Sequence, residues 1–551
     1  MVSKRFITAG ALALSSCSSV AGALVQKPGL YVPPQYAGNL SLVRTMFTDS
    51  WDAYKKYAWG HDDLDPISES YNDGRNGWGA SIADAMSTMV IMGLEADFLQ
   101  AVNYTYSIDF SRSQTPDTVS VFETSIRYVA GFLSAYELSG FTHPILVEKA
   151  KEVADKLMYA WVGNNSLPYG YLNFTTNEPT VTTTNIAEAG TLTLEYTTLS
   201  KYTGNQTYAD YAVKAAAYIA SLNSLYPGLA PQGIDPTSGQ FTDAYLTWGG
   251  GSDSYFEYLI KYPRLTNTND PIFVQTWQTA VDSSIRYLVR NSTIGNWTYV
   301  ADRDDDGNIV HIGSHLECFH AGNWMLGENH FSTLLNNQTL VDYGLLLTDA
   351  CWNTYASTAT GIGPEVFAYF SSDGNYTGTT PSASDLAFYQ EHGFFIYDGS
   401  SDYILRPEVL ESNFYAWRIT GDTKYLDNAA AAAASFNKYL YIKSSGGYAG
   451  TNDVNDVNAS LIDDTESFWF AEVMKYLYLH FDDPNHISLD NYVFNTECHP
   501  FIAPPAGNYA TPTFKTNTQG FKAVGGPLPQ ISPNSYLPKS INSILQGVGL
   551  S

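Results

Sequence analysis

The chain is 551 residues long and carries 55 Asp and Glu against 28 Lys and Arg, a net charge of −27. So large an acidic surplus argues against nucleic-acid phosphates and anionic membrane surfaces as partners, and leaves a neutral ligand or a cation. The 41 Tyr, 27 Phe and 11 Trp add flat faces and hydroxyls of the kind that carbohydrate recognition uses.

The N-terminus reads as a processing signal. Lys4 and Arg5 precede an apolar stretch from Phe6 to Leu14, and Ala21-Gly22-Ala23 supplies small residues for cleavage, so residues 1–23 are expected to be a signal peptide. The apolar stretch is too short to span a bilayer, and no later run is long enough. The mature chain is therefore expected to be secreted or luminal, with no stable membrane anchor. Ten Asn-x-Ser/Thr sequons, at Asn39, Asn103, Asn164, Asn173, Asn205, Asn291, Asn296, Asn337, Asn375 and Asn458, fit that route.

Residues 24–503 show no linker and are expected to form one catalytic domain. Residues 504–551 are rich in Pro, Asn and Gly and read as an extended tail. Within the domain one pattern recurs: "FLSAYELSGFTHPILVEKAKEVADKL", "LEYTTLSKYTGNQTYADYAVKAAAYI", "FEYLIKYPRLTNTNDPIFVQTWQTAVDSSIRYLV" and "NFYAWRITGDTKYLDNAAAAAASFNKYL". Each has apolar residues at helical spacing on both sides of a Gly, Asn or Asp turn. Repeated helical hairpins imply an all-α solenoid or closed α/α barrel. The long, irregular Gly/Thr/Asn loops between them favour a barrel that carries its site in the loops at one end.

Several carboxylates sit where solvent exposure is not the obvious reading. Glu123 and Arg127 are one turn apart in the apolar "VSVFETSIRYVAGFLSAY", a spacing that serves a buried ion pair or a plain structural salt bridge. Glu408 and Glu411 follow Pro407, which suits a first helical turn, where negative charge is stabilised. Asp253 follows three glycines and suits a helix cap. Carboxylates on separate hairpins of one barrel can also do glycosidic chemistry: inversion needs an acid and a base held roughly 6.5–9.5 Å apart across the sugar. The acidic run Asp302–Gly307 begins like a calcium loop, but its twelfth position is Gly313 and no bidentate ligand closes it, so it reads as an exposed turn. Of the cysteines, Cys17 falls in the signal. Cys318, Cys351 and Cys498 allow one disulfide and leave one thiol over.

The blocks "GWGASIADAMSTMVIMGL", "VSVFETSIRYVAGFLSAYELSG", "IAEAGTLTLEYTTLS", "GGSDSYFEYLIK", "SHLECF", "LRPEVLESNFYAWRITGD", "ESFWFAEVMKYLYLHF" and "ISLDNYVFNTECHP" follow one another in order. Over residues 40 to 501 the sequence thereby resembles the class I α-mannosidases, glycoside hydrolase family 47, in their secreted fungal branch. The resemblance implies an (α/α)7 barrel that removes α-1,2-linked mannose from high-mannose N-glycans with inversion and needs Ca²⁺; the chain is separately expected to be a monomer, a state the sequence itself does not reveal. The resemblance assigns Glu123 as general acid, Glu408 as general base and Asp253 as a third essential carboxylate. Thr496 would hold the calcium ion through its carbonyl and hydroxyl oxygens, with water and sugar hydroxyls completing the shell. Arg127, Glu188, His315, Arg406, Glu411, Phe468, Glu472 and Glu497 match positions around the sugar, and Cys318–Cys351 matches the family's disulfide. Two departures stand out: Cys498 replaces the usual Ala of its motif, and Gly251 stands where endoplasmic-reticulum members carry Arg, which implies less restricted trimming. A non-catalytic lectin on the same barrel would lack the carboxylates kept here, and a glucoamylase-like barrel would lack "LRPE" and "NTECHP".

Overall fold

A computed structural model describes residues 24–163, 166–335 and 338–506, with side chains left out over 329–337. The expected signal peptide, the tail beyond residue 506, and the sequons Asn164 and Asn337 lie outside the described residues. None of the other eight sequon asparagines is buried.

Among the described residues, and apart from the peripheral helix Ala383–His392, fourteen helices build the body: α1 (Ala37–Tyr57), α2 (Ala80–Ile91), α3 (Glu95–Thr105), α4 (Val121–Thr124, continued by Ser125–Val129 and Ala130–Leu138) and α5 (Pro144–Leu157). They continue with α6 (Ile186–Gly190 leading into Thr193–Thr203), α7 (Thr207–Ser221), α8 (Asp253–Thr266), α9 (Pro271–Tyr287) and α10 (Phe319–Leu335). The last four are α11 (Gln338–Ala356), α12 (Glu408–Thr420), α13 (Lys424–Tyr439) and α14 (Trp469–Val473 with Met474–Phe481). All four hairpins read from the sequence are present, as α4–α5, α6–α7, α8–α9 and α12–α13.

The even-numbered helices pack on one another in order, and α14 packs back on α2, so seven inner helices make a ring. The odd-numbered helices lie outside it, with α1 against α13 and α14. Composition explains the division. Every residue of α12 from Val409 to Arg418 is buried, as expected of a helix enclosed on all sides. Outer α5 instead buries a stripe that includes Ile145, Leu146, Ala150, Val153 and Leu157 and turns Glu148 outward. Close packing in the ring uses glycine: a Cβ on Gly131 of α4 would lie 2.7 Å from the Ala83 carbonyl of α2, and one on Gly322 of α10 would lie 2.6 Å from the Tyr415 ring of α12. Ring closure joins the chain's ends, where Trp469 Nε1 donates to Ser50 Oγ at 3.0 Å.

Within a hairpin the outer helix reverses direction, so all inner helices run the same way and begin at one end of the barrel. The connections at that end are not plain loops. They carry antiparallel sheets of two or three strands, each strand only two or three residues long, too short to show an alternating pattern in sequence. At the other end a hairpin, Tyr492–Phe494 paired with Pro500–Ile502, enters the ring. Ile502 N–H donates to Glu137 late in α4, whereas Asn495 Nδ2 reaches the Ile126 carbonyl near its start, so the hairpin's turn points toward the end where the inner helices begin.

Candidate active site

The predicted residues gather at that end because each begins, or just precedes, an inner helix. Glu123 lies in the first turn of α4, Glu188 in the lead of α6, Asp253 at the start of α8, His315 before α10, Glu408 at the start of α12 and Phe468 before α14. Helix N-termini present unpaired N–H groups and partial positive charge, which stabilise carboxylates. Caps secure them: Ser120 Oγ accepts the Glu123 N–H at 3.2 Å and Asn185 Oδ1 accepts the Glu188 N–H at 2.8 Å. Two helix starts fall one residue from the sequence expectation, because Ser252 and Pro407 are the cap residues and Asp253 and Glu408 the first helical ones.

Glu408 is held by two neighbours. Its Oε2 accepts from His315 Nδ1 at 2.7 Å, and Tyr355 Oη lies 2.6 Å from His315 Nε2, which fixes the imidazole's orientation. Arg406 Nη1 lies 4.0 Å from Oε1 while its Nε binds the Glu365 carboxylate. Burial pushes the Glu408 carboxyl upward, but the His315 hydrogen bond and charge, with Arg406, prevail and hold it below the usual carboxylate range.

Glu123 is also kept ionised. Burial opposes this, yet Arg127 and then Arg75 lower its carboxyl. Arg127 Nε donates to Glu123 Oε2 at 2.8 Å, and its Nη1 meets Ser467 Oγ at 3.1 Å, Asp84 Oδ2 at 3.4 Å and the Glu497 carboxylate. Arg127 sits in a π-helical turn, Ser125–Val129. The Phe468 segment runs into a second one, Trp469–Val473. Such turns are frequent at functional sites because they re-aim side chains out of the helical repeat. Asp253 behaves oppositely. Burial raises its carboxyl to about 7, with Glu257 and Glu408 adding to the rise against hydrogen bonds from Ser254 N and Oγ at 2.6 and 3.1 Å.

One ring ties the two halves together. The Phe468 centroid lies 5.6 Å from the Arg127 guanidinium and 6.0 Å from that of Arg406, so the cation on Glu123 and the cation beside Glu408 flank the same ring. Glu123, Glu408 and Phe468 thus border one space. Burial, and then repulsion from Glu497, Glu408 and Glu411, pushes the Glu472 carboxyl upward. Burial raises Glu411 to about 8 despite Lys261, and raises Glu188 and Glu497 as well.

Thr496 stands in the turn of the inserted hairpin. Its N–H donates to Tyr258 Oη at 3.2 Å, and Tyr258 Oη donates to Glu195. Among the described residues neither the Thr496 hydroxyl nor its carbonyl has a hydrogen-bond partner, and no three His, Cys, Asp or Glu side chains are grouped to hold a metal. Two free oxygens on one residue suit a hard cation that would fill its shell with water and sugar hydroxyls. Beside it Cys498 is buried, its thiol pushed upward by burial. Cys318 and Cys351 form the expected disulfide, joining the start of α10 to α11.

Sequence reasoning missed Arg75, Glu466, Glu365, Tyr355 and Asp84. Arg75 and Glu466 had a readable signal, since each lies in a polar turn directly before an inner helix. Asp302 corrects another reading: its turn exposes Asp305 and Asp306, but Asp302 itself is buried and accepts from Tyr245 Oη at 2.6 Å. A hairpin, Asp302–Arg303 with Ile309–Val310, turns it inward.

Seven inner helices ringed by seven outer ones, with carboxylates at the inner helices' starts, make an α/α barrel. The model of glycosyl hydrolase family 47 matches residues 46–503, and the chain belongs to that family. It is 39% identical over 480 residues to mannosyl-oligosaccharide alpha-1,2-mannosidase 1B of Aspergillus phoenicis, covering 83% of this chain and 90% of the relative. Against the protein of the same name from Emericella nidulans it is 37% identical, covering 89% and 98%. The solved structure of the alpha-1,2-mannosidase from Trichoderma reesei superposes with a TM-score of 0.79 at 35% identity, covering 85% of this chain and 99% of that one.

Proposed function

We propose that this chain is a Ca²⁺-dependent, inverting α-1,2-mannosidase that trims terminal mannose from high-mannose N-glycans, and that it acts as a secreted or luminal monomer. The observation that carries the reading is the Phe468 ring flanked by the cations that serve Glu123 and Glu408. Glu408, ionised and oriented by His315, takes the proton of the attacking water. Glu123 delivers a proton to the leaving oxygen, with Asp253 as the third carboxylate of the reaction. Thr496 would hold calcium with its two oxygens, and the ion would supply positive charge that orients sugar hydroxyls. Among the described residues no helix is long and apolar enough to cross a membrane. Gly251 keeps the rim open: its φ of +85° and a Cβ position 3.0 Å from Gln232 Nε2 disfavour any side chain there.

A second reading of the acid has its own support. Arg127 and Arg75 hold Glu123 ionised, whereas burial leaves Asp253 able to keep a proton near neutral pH. Environments that push two carboxyls apart mark the acid and the base, which favours Asp253 as the resident donor and Glu123 as the group that orients the leaving oxygen.

The test is digestion of a nine-mannose N-glycan by wild type and Glu408→Gln, followed by mass analysis and by proton NMR of the first mannose formed. Wild type should release β-mannose, and the variant should lose about 10²- to 10⁴-fold in kcat while still binding glycan. Wild-type binding without release would mean a lectin. Turnover by the variant at the wild-type rate would remove Glu408 from the base role.

A further inference from the structure

Glu123 has a second cation that neither the sequence blocks nor the family match assigns. Arg75 lies in the turn before α2, with Nη1 3.5 Å from Glu123 Oε2 and Nη2 donating to Glu466 Oε2 at 2.8 Å. Both arginines therefore address the same Glu123 oxygen, Arg127 from inside the ring and Arg75 from the rim, and Oε1 is left for another partner.

The turn that carries Arg75 is built with unusual thoroughness. The buried Asp62 carboxylate accepts the backbone N–H groups of Arg75 and Gly77 on Oδ2, at 2.8 and 2.7 Å. Its Oδ1 accepts those of Trp78, Gly79 and Ala80, together with Tyr128 Oη. Asn76, Gly77 and Gly79 have positive φ, as so tight a wrap requires. Glu466 is fixed as well, because it opens the turn before α14, where the next two residues are Ser467, bound to Arg127, and Phe468, the aromatic floor. One end of Arg75 thus reads the acid carboxylate and the other reads the segment that carries the floor.

We infer that Arg75 is a positioning residue of this site: braced by Asp62 and Glu466, it pins Glu123 Oε2 so that Oε1 faces the scissile oxygen. The inference rests on the mannosidase reading. It says that the geometry of Glu123 is set jointly by the α2 turn and the α14 turn, two segments nearly 400 residues apart in sequence. The groups that face Glu123 are Arg127 on its own helix, Arg75 and Asp84 from α2 and its turn, Glu188 from the lead of α6, Glu497 from the inserted hairpin, and Tyr171 from the hairpin after α5. Only the two arginines favour its ionised form, and of the two Arg75 is the one near the surface.

The experiment compares wild type, Arg75→Gln, Arg75→Lys and Glu466→Gln on the nine-mannose glycan, reading kcat and KM separately across pH, with an unfolding midpoint for each. Arg75→Gln should lower kcat about 10- to 100-fold with KM changed less than threefold. It should also move one limb of the kcat/KM profile to higher pH, because Glu123 loses a stabilising cation. Movement of the basic limb identifies Glu123 as the proton donor, and movement of the acidic limb identifies it as an essential carboxylate; either supports the inference. Arg75→Lys should restore the limb and most of kcat, and Glu466→Gln should reproduce a weaker form of the defect. A fall in activity with both limbs unmoved and no rescue by Lys would make Arg75 a structural residue of the turn and overturn the inference. Absence of mannose release by wild type would overturn the mannosidase reading itself, and this inference with it.

Discussion

Replacing Arg127 with Met removes one cation from three carboxylates at once. Its guanidinium meets Asp84, whose side chain has no exposed surface, Glu497, which is 3% exposed, and the half-buried Glu123. Breaking a buried pair by deleting one partner costs about 3–5 kcal/mol, since a charge is left without compensation. Three such costs do not add here. His499 Nε2 still approaches Asp84 Oδ1 at 3.3 Å, Arg75 still approaches Glu123, and Glu497, already raised by burial, can take up a proton. The expected loss is therefore about 3–5 kcal/mol in total. The pH dependence gives the sharper check. In wild type the Asp84 and Glu123 carboxyls lie below their ordinary range, so their contribution is present at pH 7 and pH 5 and is lost only as pH falls through those depressed values. In Arg127→Met the abandoned carboxyls titrate above their unfolded values, so protonation restores stability as pH falls. Urea unfolding midpoints at pH 7 and pH 5 should show a gap between the two proteins that narrows at pH 5. An unchanged midpoint at pH 7, or a gap that widens on acidification, would refute the account of Arg127 as the shared counter-charge.

Three further outcomes are expected. The acidic limb of the kcat/KM profile should fall below the ordinary carboxylate range, because Glu408 must stay ionised; if Asp253 is the donor the basic limb should lie at about pH 7 and vanish in Asp253→Asn, whereas a wild-type limb in that variant would return the role to Glu123. Calcium added to chelator-treated protein should raise its unfolding temperature, by about 2.7 kcal/mol of stabilisation at a hundredfold excess over Kd, and calorimetry should find binding at least about tenfold weaker in Thr496→Val, which keeps only the carbonyl ligand. Replacing both Cys318 and Cys351 with Ala opens a 33-residue loop and should cost up to about 3.7 kcal/mol by loop-closure entropy, read as a lower urea midpoint with catalysis at the wild-type level below the transition.

Much of this arrangement was legible in the sequence, and the reason is local. A helical hairpin writes its apolar stripes and its turn in one continuous stretch of sequence, so α4–α5, α6–α7, α8–α9 and α12–α13 could be read directly. The pairing of α1 with α14 could not, because the two lie about 400 residues apart and meet only when the ring closes at Ser50 and Trp469. The Glu123–Arg127 pair was readable because its partners are one turn apart. The pairings of Asp84, Glu466 and Glu365 were not, since each meets its arginine from a different helix or loop. The resemblance to family 47 supplied Thr496 and Phe468, which no local pattern distinguishes from a polar turn and a core aromatic.

What the barrel contributes to the chemistry is a common direction. Because the inner helices all begin at one end, seven N-termini converge there, and acidic residues placed in their first turns meet each other without any long-range signal in sequence. Like charges so gathered would repel. The structure answers with a few cations that each serve several anions: Arg127 for Glu123, Asp84 and Glu497, Arg406 for Glu365 and Glu408, and Lys261 for Glu257 and Glu411. Burial raises Glu472 and Asp253, which have no ion pair among the described residues, and it also raises Glu411 and Glu497, which do. A divalent cation on the unpaired oxygens of Thr496 would add positive charge at the turn of the inserted hairpin.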